Sequence, residues 1–117
     1  MKEKPGDLHR LQHIIQCITD LEQILKDVDA DSFYSNAEKK YAVERVLEII
    51  GEAVNKVSEQ TLSKSNLAIP WRDVVDFRNL ITHEYFRIDY TMVYKLATEE
   101  IPKVRPAIEF LINELKK

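Results

Sequence analysis

Cysteine occurs once in this chain, at position 17, so no internal disulfide can form and a reducing, cytosolic setting is expected. Glycine is nearly as scarce, with two in 117 residues, and there are only four prolines. That is too little turn-forming material for a fold of many short strands, and it points to helices. No uninterrupted apolar run approaches the roughly 20 residues of a membrane span. The opening "MKEKPGDLHR" also lacks the apolar core of a signal peptide. A cytoplasmic protein with no membrane partner is expected. Basic runs are missing too, and the formal net charge is −3. Non-specific duplex binding depends on neutralising many phosphates with Lys and Arg. DNA is therefore not an expected partner, and any nucleic-acid contact has to come from a local patch. There are no repeats, low-complexity segments or long linkers, and domains cluster at about 100–150 residues. A single domain over 1–117 is expected, with 1–6 a flexible N-terminus.

What the chain does have is helical periodicity. Leu8, Leu11, Ile15, Ile18, Leu21, Leu25 and Val28 recur at three-and-four spacing and predict a first helix over about 7–28, with Asp7 as N-cap. "DADSFYSNAE" breaks the period, and Ser35 with Glu38 has the form of a capping box. A second helix is predicted from there to about 63, with Val43, Val46, Leu47, Ile50, Ala53, Val54 and Val57 on one face. After the loop "SKSNLAIP", Pro70 suits the first turn of a third helix over about 70–84. Asp89 can cap a last helical segment reaching about 115, with a kink or break near 101 because Pro102 and Pro106 each remove a backbone donor. The fold class expected is all-α, an up-and-down bundle of four to five helices.

The stretch "WRDVVDFRNLITHEYF" (71–86) poses a specific question. On a helical wheel Trp71, Val74, Val75, Ile81 and Tyr85 form an apolar stripe, and Arg78 falls within roughly 20° of Trp71. Arginine is almost never fully buried without a partner. Phe77 and Leu80 lie on the other side, and a helix apolar on two sides is buried on two sides. A homodimer with the third helix near the interface is expected. Arg78, His83 and Tyr85 are the candidate chemistry. Histidine can move a proton to or from a ribose hydroxyl near neutral pH. Arginine matches phosphate oxygens and can stabilise their charge in a transition state. On a straight helix His83 would point about 140° from Arg78. Convergence needs either a helix that ends near Thr82 or a second copy across a two-fold axis.

"RNLITHEY" resembles the Arg-x4-His-x-Tyr motif of the HepT-like ribonuclease toxins of the HEPN superfamily. "YAVERVLEIIGEAVNKVSE" (41–59), with its Gly51–Glu52 pair, resembles that family's second helix, and "IPWRDVVDFRNLITHEYFRIDY" (69–90) its third helix and exit. "EEIPKVRPAIEFLINEL" resembles its closing helix. The resemblance implies a HEPN-like bundle that dimerises with the two motif copies facing each other. It also implies a toxin acting as a metal-independent, cofactor-free endoribonuclease through 2′-hydroxyl attack, leaving a cyclic phosphate. By position, Arg78 would hold the phosphate, His83 would be the general acid/base and Asn79 a polar helper. Tyr85 would receive AMP from an MntA-like minimal nucleotidyltransferase antitoxin. That modification would place bulk and negative charge where substrate phosphate must sit. The alternative is a non-catalytic dimeric module whose cleft docks the nucleotidyltransferase or a nucleotide.

The remaining features read as structural. His9 and His13, four apart on the first helix, lie on its polar face and are taken as a solvated pair. Glu44, Glu48 and Glu52 form a solvated carboxylate ladder, with Glu52 a candidate partner for Arg78 or His83. Cys17 reads as buried packing. Tyr34, Tyr41, Tyr90 and Tyr94 read as core or interface aromatics, and Arg72 and Arg87 as extensions of a positive rim.

Overall fold

The computed structural model describes residues 6–84 and 87–117, and at 78 and 82–84 it describes the backbone alone. Helix α1 spans Asp7–Ile24 and ends four residues earlier than periodicity suggested, before Asp27 takes a left-handed φ of 59°. Its N-cap is Gly6, with no side-chain cap bond. Asp7 is the first helical residue instead, because its carboxylate is engaged elsewhere. It accepts from the Ser58 hydroxyl at 2.6 Å, the Ser58 N–H at 3.1 Å and the Thr61 hydroxyl. Those donors open the short helix α4 (Glu59–Leu62), so one carboxylate ties two helix starts together.

Helix α2 is the single turn and a half Ala30–Tyr34, capped by Asp29. Asn36, not Ser35, then caps α3 (Ala37–Lys56), accepting from the Lys39 N–H at 3.0 Å. The expected Ser35–Glu38 box does not form. Ser35 closes α2 and donates its hydroxyl to the Ser32 carbonyl, and asparagine caps as well as serine one position on. Helix α3 stops at Lys56, not near 63, because Val57 turns extended and Ser58 caps α4.

The third helix is two helices, α5 (Trp71–Val75) and α6 (Phe77–Ile81), joined at Asp76 with φ −106° and ψ 42°. The cause lies in α3. A Cβ at Gly51 would stand 2.9 Å from the Val75 carbonyl oxygen and 3.0 Å from that of Val74. The end of α5 thus seats its carbonyls directly on the α3 backbone, and the Asn79 N–H bonds to the Asp76 carbonyl at 3.1 Å. Beyond Ile81 the chain does not stay helical to 84. Strand β1 (Thr82–Glu84) pairs antiparallel with β2 (Arg87–Ile88), Thr82 opposite Ile88 and Glu84 opposite Arg87. Asp89 caps α7 (Tyr90–Lys95), accepting from the Thr91 and Met92 N–H groups as expected. The expected break near 101 is a π turn over Leu96–Glu100, leading into α8 (Ile101–Leu115) with Pro102 in its first turn.

Helix α1 packs on α3 and α8, and α3 packs on α5. The core is built from Leu11, Ile14, Ile18 and Leu21 of α1, Val43, Leu47, Ile50 and Val54 of α3, and Ile101, Val104, Ile108 and Leu111 of α8. The α1 stripe is rotated slightly from the expected one, centring on Ile14 while Ile15 is half-buried. Phe77, expected to await a partner subunit, is buried in its own chain, whereas Leu80 is 40% exposed. No helix of the described residues is long and apolar enough to cross a membrane.

The Asp7 knot carries a pH dependence. Burial pushes its carboxyl up, but hydrogen bonds from Ser58 and Thr61 and the Arg10 charge outweigh this and hold it below the usual carboxylate range. A group depressed on folding stabilises above its unfolded pKa, about 3.9, and loses that contribution as pH falls through the folded value. Asp7→Asn should therefore be less stable than the parent in urea at pH 7, with the gap closing below about pH 4. Parallel unfolding curves with an unchanged gap at both pH values would contradict this.

Candidate functional site

The chain between α5 and α7 is built to stop a helix and turn back. Aspartate in mid-helix is a weak helix former, and Asp76 uses its carboxylate to accept from the Asn79 side-chain amide three residues on. Asn79, a candidate helper, is thus held against the helix break and stays exposed. Arg78 occupies the first turn of α6, and His83 stands in β1, two residues beyond the end of that helix. The 140° separation of a straight helix does not apply to this pair. The Asp89 N–H closes the excursion by donating to the Ile81 carbonyl. Tyr85 lies outside the described residues, as do the side chains of Arg78 and His83.

Glu52 is exposed on α3, and its carboxylate meets the Arg45 guanidinium at 3.4 Å, which also stands 3.9 Å from Glu48. Its described partner is therefore Arg45. Even so, Glu52 shares a cleft of about 200 Å³ with Gly51, Asn55, Val75 and Phe77, the residue preceding Arg78. The α3 carboxylate face and the start of α6 border one depression. Glu44 departs from the solvated ladder, since the Tyr90 hydroxyl donates to it at 2.8 Å. Burial first, and then the Glu44 bond and charge, push the Tyr90 phenol upward, so it stays protonated and serves as a strut. Tyr94 likewise donates to the Val28 carbonyl at 2.9 Å and packs its ring 5.2 Å from Phe33.

Cys17 is buried, and burial and then the Asp20 charge push its thiol up, which removes it as a nucleophile. His9 and His13 are exposed on α1, as expected of a solvated pair. Arg72 and Arg87 are exposed. Among the described residues no three His, Cys, Asp or Glu side chains are grouped as metal ligands. Sequence reasoning missed Asp76, and it named Gly51 only in the Gly51–Glu52 pair, without its contact with α5. The signal for the first was an aspartate, a weak helix former, inside a predicted helix.

Comparison with known proteins covers nearly the whole of this architecture. The family profile "Ribonuclease HepT-like" matches residues 14–111. "Putative RNase MJ1380" of Methanocaldococcus jannaschii is 36% identical over 101 residues, 86% of this chain and 92% of that protein. "Putative RNase MJ0125" of the same organism is 36% identical over 107 residues, 92% of this chain and 91% of its own. "Probable ribonuclease HepT" of Thermococcus cleftensis is 30% identical over 101 residues, 86% of this chain and 91% of that protein. No solved structure matches the chain.

Proposed function

Since the chain belongs to the HepT-like ribonuclease family, we propose that it is a metal-independent endoribonuclease, the toxin of a toxin–antitoxin pair. The observation that carries this is the end of α6 at Ile81. It leaves Arg78 on a helix and His83 on an extended strand, so the two need not diverge as on one continuous helix. In this reading the ribose 2′-hydroxyl attacks the adjacent phosphorus and the 5′-oxygen leaves, giving a cyclic phosphate. His83 moves the protons, and Arg78 holds the non-bridging oxygens as their charge grows. Asn79 and Glu52 border this site, Asn79 from α6 and Glu52 from α3, and neither is assigned a proton.

Silencing is assigned to Tyr85, which takes an adenylyl group from ATP with release of pyrophosphate, catalysed by an MntA-like nucleotidyltransferase antitoxin. The added phosphate would compete with RNA for the Arg78 charge. The test is unmodified protein incubated with total cellular RNA in excess EDTA, followed by analysis of the new ends. Cleavage that survives chelation and leaves cyclic phosphates is expected. A folded, unmodified protein that leaves all RNA intact but binds the nucleotidyltransferase would favour the docking-module reading.

The homodimer belongs to the same proposal. Leu80, 40% exposed, and Leu67, 43% exposed, stand at an apolar cleft of about 370 Å³ between α6 and the start of α8. Exposed large apolar side chains beside such a cleft suit a protein–protein contact. Leu80→Asp should give a folded monomer by sedimentation where the parent is a dimer. An unchanged dimer would remove this face from the interface.

A further inference from the structure

A second depression opens on the other side of the α3–α5 contact. It has a volume of about 240 Å³ and is lined by Val54, Asn55 and Leu62 together with Trp71, Arg72 and Val75. It shares Asn55 and Val75 with the cleft that reaches Phe77, the residue before Arg78. Its composition is that of a ligand site, an apolar floor with a few polar groups at the edge.

Three of those polar groups are unspent. Among the described residues the Trp71 indole N–H, the Arg72 guanidinium and the Asn55 side-chain amide make no hydrogen bond or ion pair. Tryptophan, when buried, usually finds a partner for its N–H, and here the ring is half-buried at the wall of an open cleft. Elsewhere on the surface, Arg45 and Arg105 are engaged by carboxylates. Glu59, in the first turn of α4, is the carboxylate at this cleft, and Glu48 and Glu52 line the neighbouring one.

Building on the ribonuclease reading, we infer that this cleft is a subsite for a nucleotide of single-stranded RNA flanking the scissile phosphodiester. The base stacks on Trp71, Asn55 meets its edge and Arg72 holds a phosphate. A flat aromatic and a forked cation over an apolar floor are the groups that grip an unpaired nucleotide. This also supplies what an acidic chain without a basic run requires, a local contact that needs few charges. Arg72 and Trp71 sit on α5, which the single residue Asp76 joins to the helix carrying Arg78. A strand held at α5 is therefore brought close to α6.

Trp71 is the chain's only tryptophan, which makes its emission a direct reporter. The His83→Ala protein, titrated with an unmodified single-stranded RNA oligonucleotide, should show saturable quenching that parallels binding measured by anisotropy of labelled RNA. Arg72→Gln in that background should weaken binding on the order of tenfold, the size of one charge-assisted hydrogen bond. It should also reduce the salt slope by about one. Asn55→Ala, at an exposed position, should alter the preference among homopolymers and leave thermal stability unchanged.

Anisotropy change without quenching, or with Arg72→Gln indistinguishable from its parent, would overturn the subsite while leaving the ribonuclease reading intact. Quenching by free AMP as strong as by the RNA would overturn the assignment to a strand. If the unsubstituted protein neither binds nor cleaves RNA, both readings fall together. Cleavage by that protein alongside an unresponsive Trp71 separates the two failures.

Discussion

Replacing His83 by alanine should lower RNA cleavage by roughly 10²- to 10⁴-fold, the range lost with a positioned general acid/base. The expectation follows from what this site would have to work with. Burial removes Cys17 as a nucleophile and holds the Tyr90 phenol protonated. His9 and His13 are exposed on α1, a helix with no residue in the clefts that lead to α6. Histidine is the side chain suited to proton transfer near neutral pH, and His83 stands on β1, between α6 and α7. The comparison is made on single-turnover rates in EDTA with refolded, mass-verified protein. An accompanying circular dichroism melt checks that the variant is folded. A variant that retains cleavage within a factor of a few would eliminate His83 as the proton carrier.

Gly51→Ala should destabilise the protein, although the usual rule for a helix interior predicts the reverse. Alanine in place of glycine within a helix gains roughly 0.5–1 kcal/mol. Here the new methyl would meet backbone carbonyl oxygens at 2.9 and 3.0 Å, a distance at which something has to move. Those oxygens belong to the end of α5, with no flexible side chain to swing aside. Overpacking of this kind costs about 1–3 kcal/mol, so the clash outweighs the propensity and a net loss of roughly 1–2 kcal/mol is expected. Gly51→Val should lose more. The damage should also reach the site, because pushing α5 away from α3 displaces α6 and Arg78 with it. A chemical-denaturation midpoint equal to or above that of the parent would show that α5 rides up at no cost.

Much of this molecule was legible in its sequence, and the limits have physical causes. Helices α1, α3 and α8 bury one face each against the others, so the 3.6-residue period was imprinted on the residues that had to be apolar. The cap at Asp89 and the interruption near 101 could be read because a side-chain acceptor and a missing N–H act locally. The helix over 70–84 could not be read correctly. Its break depends on a glycine some 25 positions earlier, whose missing side chain admits two carbonyls, and periodicity has no access to that contact. The Arg78 stripe was accordingly drawn on a continuous wheel that the chain does not follow. Phe77 turns inward at the break and fills its own core, which leaves Leu80 as the exposed apolar residue of α6. The Arg78–His83 pair was visible as residue types at a spacing, without the strand that takes His83 off the helix.

The π turn between α7 and α8 has a consequence for how this chain tolerates changes in length. Leu96 and Ile101, five residues apart, are both buried and both line the apolar cleft beside α6. On a regular helix, five positions would turn them about 140° apart, whereas four would bring them close to alignment. The wider i→i+5 turn absorbs the surplus residue as a bulge. A chain one residue shorter between these two positions could run as an uninterrupted helix and still show the core the same side chains. Deletion of one residue, which elsewhere in a packed helix would rotate everything downstream by about 100°, would here remove the bulge instead. The segment is an expansion joint in a fold that is otherwise closely fitted.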